Sequence, residues 1–66
     1  MEIVLNGEPH ALAEPTTVAQ LLAALSLDPS GVAVAIDLHV VPRGEHAARV
    51  LASGERVDII RAVGGG

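Results

Sequence analysis

At 66 residues the chain is one domain at most, with half its residues hydrophobic and no Phe, Tyr or Trp among them. It has no Cys, which removes disulfides, thiolate metal ligands and thiol nucleophiles. A net charge of −4, with Arg as its only strong base, excludes the basic footprint and aromatic platforms that nucleic-acid binding uses.

Glu2-Ile3-Val4-Leu5 is rich in β-formers, and Asn6-Gly7 after it is a strong hairpin signal, because both central residues of a type I′ turn need positive φ. Glu8 to Ala13 reads as the returning strand, with Pro9 placing it at a sheet edge. A helix follows. Thr17 caps it, Gln20 completes a capping box, and Val18, Leu21, Leu22 and Leu25 share one face. Asp28-Pro29-Ser30-Gly31 is a loop.

Val32 to Ile36 is a strand with its larger side chains on one face. Asp37-Leu38-His39 is a turn, and Val40-Val41 a short strand stopped by Pro42. Glu45 to Leu51 reads as a short second helix, with Ala47, Val50 and Leu51 inward. After a turn at Ser53-Gly54-Glu55, Val57 to Val63 is the last strand, with Val57, Ile59 and Ile60 supplying core. The order predicts an α+β fold: a mixed sheet with one main helix across it and a short second one, as in the ubiquitin-like β-grasp. Residues 1–63 form that domain and residues 64–66 a flexible Gly-rich tail. The apolar runs 21–25 and 32–36 are far shorter than the ~20 residues of a membrane span, and no signal core follows Met1, so a cytoplasmic protein without a membrane partner is expected.

The side chains offer little chemistry. His10, His39 and His46 lack metal-ligand spacing and read as surface residues. The carboxylates are scattered, and Ser26, Ser30 and Ser53 lie outside any nucleophile elbow. Gly64-Gly65-Gly66 is the informative segment. Three glycines after an apolar strand can thread a narrow channel and leave the Gly66 carboxylate unhindered. No helix follows them to make a phosphate loop. A frayed end is the competing reading.

The chain resembles the ThiS family, the sulfur carriers of thiamine biosynthesis. The likeness rests on Met1-Glu2-Ile3 with Asn6-Gly7, on Thr17-Val18, on Val34-Ala35-Ile36 and on Val40-Val41-Pro42-Arg43. It continues through residues 54–60 to Ala62-Val63-Gly64-Gly65-Gly66. The resemblance implies a β-grasp protein that is not itself an enzyme and binds no cofactor. It implies that an adenylating enzyme uses ATP to activate the Gly66 carboxylate. A persulfide donor then turns it into a thiocarboxylate, and thiazole synthase takes the sulfur. Ile60, Ala62, Val63, Gly64 and Gly65 are the expected partner-binding residues. The small subunit of molybdopterin synthase, a ubiquitin-like protein modifier and a passive interaction domain are the alternatives.

Overall fold

The computed structural model describes residues 1–61, and residues 62–66 lie outside the described part. Five strands form one sheet in the order β2-β1-β5-β3-β4. The strands are β1 (Glu2–Leu5), β2 (Glu8–Ala11), β3 (Val32–Ile36), β4 (His39–Val41) and β5 (Arg56–Arg61). β1 and β5 run parallel in the middle, and the other neighbours are antiparallel. The sheet is therefore mixed, and β2 with its Pro9 is an edge as expected. β2 stops at Ala11 rather than Ala13 because its partner β1 begins at Glu2.

The two hairpins turn the same way for different sequence reasons. Asn6 (φ 49°) and Gly7 (φ 84°) are the two residues between β1 and β2. Asp37 (φ 49°) and Leu38 (φ 70°) sit likewise between β3 and β4, so His39 belongs to the strand rather than the turn. Left-handed Asn and Asp are tolerated because their short polar groups bond to nearby backbone. Leu38 has no such excuse, and the turn points it into solvent.

The single α-helix among the described residues, α1, spans Val18–Ala24. Its N-terminus is fully accounted for. The Val18 N–H donates to the Arg49 carbonyl and the Ala19 N–H to the His46 carbonyl, each at 3.0 Å. The Gln20 N–H donates to Thr17 Oγ1, and Gln20 Oε1 accepts the Thr17 N–H, which closes the expected capping box. At the other end Ser26 (φ 57°) takes the left-handed position. The Leu27 N–H reaches the Leu22 carbonyl and the Ser26 N–H the Ala23 carbonyl, a Schellman closure built without glycine. Val18, Leu21 and Leu22 are buried against Ile3, Val34, Ile36, Val41, Leu51 and Val57. Leu25 packs on that cluster half-buried.

The expected second helix over Glu45 to Leu51 is not formed. A 3₁₀ turn at Arg43–Glu45 stands there instead. The next residues run as a loop along the start of α1, with Thr17 and Val50 bridged and the Leu51 N–H donating to the Thr16 carbonyl. Carbonyls of this loop are spent on the open N–H groups of α1, so they cannot propagate a helix of their own. Ala47 and Val50 are consequently exposed, and only Leu51 of the expected inward trio is buried. His46 takes the inward place, 5% exposed, which corrects its reading as a surface residue. The Val41 carbonyl, 3.2 Å from Nε2, can only accept, so Nε2 carries the proton. Nδ1 is buried and has no hydrogen-bond partner among the described residues.

No helix of the described residues is long and apolar enough to cross a membrane.

Candidate functional site

β5 leads directly into residues 62–66, so the site is built from what holds this strand. Two turn residues grip its backbone. Asp37 Oδ1 accepts the Arg56 N–H at 3.0 Å, and the Asp37 N–H donates to the Arg56 carbonyl at 2.8 Å. On the opposite flank Asn6 does the same one step on. Its N–H donates to the Val57 carbonyl at 2.9 Å, and its Oδ1 accepts the Ile59 N–H at 2.7 Å. The same short side chains that tolerate positive φ in the turns thus pin the central strand.

Strand alternation sorts the side chains of β5. Val57 is fully buried beneath α1, and Ile59 packs on the same cluster. Arg56, Asp58 and Ile60 take the other face, where Arg56 Nε meets Asp58 Oδ2 at 2.9 Å. Ile60 is 61% exposed, which corrects its expected place in the core and leaves it available to a partner.

Ile60 is not alone there. Leu38 and Val40 are also exposed, and together with Ala35, Asn6, Gly7 and the Arg56–Asp58 pair they line an open depression of about 680 Å³. Several large aliphatic side chains sharing one open surface make a candidate interaction site, whereas a single exposed one does not. Leu38 and Val40 escaped the sequence reading. One signal was available for Val40: it alternates with Val41, which is buried.

Among the described residues the carboxylate side chains that make contacts serve the local structure. The Ser30 backbone N–H, then the Ser30 hydroxyl, both donate to Asp28 Oδ1 and hold its carboxyl below the usual range. Arg49 Nη2 pairs with Glu55 Oε2 at 2.6 Å, and the other Glu55 oxygen takes the Ala52 N–H. These contacts stitch loops. Among the described residues, no group of three or more His, Asp or Glu side chains is placed to hold a metal ion.

Residues 3–66 match the model of the ThiS family. The chain belongs to that family. It is 30% identical to the sulfur carrier protein ThiS of Escherichia coli, with both chains covered end to end. The crystal structure of the thiamine biosynthesis protein ThiS from Geobacter metallireducens superposes with a TM-score of 0.87 at 30% identity, again over the whole of both chains. The β-grasp architecture expected from the element order therefore holds for this ThiS-family chain. It is also 41% identical to a thiazole synthase of Magnetococcus marinus and 35% to one of Paramagnetospirillum magneticum. All of this chain is covered in both matches, but it spans only 20% of either synthase's length.

Of the expected site residues, Ile60 lies on the open face at the end of β5. Ala62, Val63, Gly64, Gly65 and Gly66 lie outside the described residues, as does the boundary between domain and tail at residue 63.

Proposed function

We propose that this chain carries sulfur for assembly of the thiazole of thiamine, on the carboxylate of Gly66. The end-to-end match to a sulfur carrier is the observation that carries the reading. The sequence beyond β5 supports it, because Gly64-Gly65-Gly66 supplies an unhindered acyl group. A carboxylate is a poor electrophile. A partner adenylating enzyme transfers AMP from ATP to it and releases pyrophosphate. The terminal sulfur of a persulfide attacks the acyl carbon and AMP departs. A thiol then cleaves the remaining S–S bond, leaving a thiocarboxylate on Gly66 and a disulfide on the donor. The thiocarboxylate is an ionised, soft nucleophile suited to giving its sulfur to thiazole synthase. In this scheme the chain is a protein co-substrate. Its own residues contribute the presentation: β5 anchored by Asn6 and Asp37, and an apolar face around Leu38, Val40 and Ile60 for the enzymes to hold.

The test is intact-mass analysis of a chain ending at Gly66, incubated with the adenylating enzyme, ATP and a persulfide donor. The mass should rise by the difference between sulfur and oxygen. One Ala appended after Gly66 should abolish the gain. An extended variant that gains sulfur at its C-terminus at the normal rate refutes the reading.

A further inference from the structure

One face of the sheet lies under α1, and the other is open. Paired residues on neighbouring strands point to the same side, so the registers assign the open face strand by strand. Val4 lies beside Arg56, Asp58 beside Ala35, Ala35 beside Val40, and Ile60 beside Ala33. At the centre the face is small-floored and large-rimmed. Ala35 sits between Val40 and Asp58, and Leu38, Val40 and Ile60 stand around it. That shape receives a large apolar side chain, the kind of anchor that carries much of an interface's energy. This chain has no Phe, Tyr or Trp, so an aromatic anchor has to come from a partner.

Arg56 decides what stands beside the anchor. Asp58 Oδ2 meets its Nε at 2.9 Å, and the Arg56 side chain is 56% exposed against 21% for Asp58. The carboxylate thus lies deeper and steadies the guanidinium above it. A guanidinium has five N–H donors, and one carboxylate at Nε does not exhaust them. A partner that shut water out here without meeting the remaining donors would strip their hydration with nothing in return. A partner carboxylate fits the fork at two points and makes the stronger, charge-assisted bond. The surroundings narrow where such a group can land. The chain carries a net charge of −4, and Glu2 is exposed at the start of β1 on the same face as Val4. A cation set in that field orients an acidic group more than it adds affinity.

We propose that this face docks thiazole synthase, which seats a large apolar side chain over Ala35 and sets a carboxylate against Arg56. The inference rests on the carrier reading and names the surface by which that partner holds the chain. The relatives point to this occupant: two thiazole synthases contain a stretch similar to this whole chain, so the two kinds of module occur in one polypeptide. A second copy of this chain is a poorer occupant, since it brings no aromatic anchor and a further charge of −4.

Titration calorimetry of the full chain with thiazole synthase tests both parts. Ala35→Leu fills the depression from its floor and Val40→Ser strips its rim, and each should weaken binding at least tenfold. Val50→Ser, at an exposed residue bridged to Thr17 on the helix side, should leave binding as it is. Arg56→Gln should weaken binding about tenfold and make the affinity less sensitive to salt. A salt dependence equal to that of the wild type overturns the carboxylate. NMR of the wild-type chain needs no variant and guards against misfolded ones. The methyl signals of Ala35, Leu38, Val40 and Ile60 should shift on adding thiazole synthase, and those of Ala23 and Ala24, exposed on α1, should not. Face methyls that stay in place in the assembled complex overturn the proposal. So do shifts given only by the adenylating enzyme, or shifts that grow with the concentration of this chain alone. Neither measurement needs sulfur on Gly66. Failure of the mass gain would therefore strike the carrier reading, and failure here only the docking face.

Discussion

Asn6 Oδ1 accepts the backbone N–H of Ile59 at 2.7 Å, across 53 residues of sequence. One amide group ends the β1–β2 hairpin and satisfies the first β5 amide that β1 cannot reach. Asn6→Gly keeps the left-handed turn but loses this bond, and should cost about 0.5–1.5 kcal/mol. Asn6→Ala loses the bond and also strains the turn, adding about 1–2 kcal/mol. Urea midpoints of the three proteins check the ordering. Equal midpoints for wild type and Asn6→Gly would show that the bond contributes nothing.

Leu22 is 1% exposed at the centre of the helix–sheet contact, and its carbonyl also closes the end of α1. Leu22→Ala should cost about 2–5 kcal/mol, the range for emptying a packed aliphatic site. Without aromatic residues or disulfides the chain has little reserve, so this variant should be substantially unfolded at 37 °C by circular dichroism.

His46 tests the corrected loop. As a surface residue it could be changed within about 0.5 kcal/mol. Buried as it is, His46→Ala removes its bond to the Val41 carbonyl and empties a buried site, and should cost about 1–3 kcal/mol. His10, at the sheet edge, is the control: the same substitution there should move the denaturation midpoint far less.

The Asp28 carboxyl titrates below its unfolded value because Ser30 donates to its charged form. The sign follows from linkage: a depressed folded pKa gives stability that is present above the unfolded pKa and is lost as pH falls through the folded one. Asp28→Asn should therefore flatten the fall in stability below about pH 4, where unfolded Asp begins to protonate. Thermal melts from pH 5 down to pH 2.5 provide the readout. Parallel profiles for the two proteins would show that Asp28 makes no contribution to acid sensitivity.

Local chemistry was legible without coordinates. Asn6-Gly7, the Thr17–Gln20 box and the 3–4 spacing of Val18, Leu21 and Leu22 each act over a few residues, so short stretches of sequence determine them. The alternation in Val32 to Ile36 likewise names its buried face. Short motifs in their order, ending in the Gly-rich segment, carried the resemblance to the family that the whole-length matches show. Other features depended on partners distant in sequence. Residues 46–51 have the composition of a helix, yet their carbonyls at His46 and Arg49 are claimed by the N-terminus of α1, and that competition buries His46 and exposes Ala47. Ser26 closes α1 where a glycine would have been the recognisable signal. Ile60 is as apolar as Ile59, and only the insertion of β5 between β1 and β3 decides that one meets the helix and the other the open face. Leu38, Val40 and Ile60 come from different strands and turns, so the patch they form exists only after the sheet is assembled. Sequence determines interactions that close within a turn of chain. Burial and edges depend on which distant strand arrives alongside, and only the tertiary structure decides that.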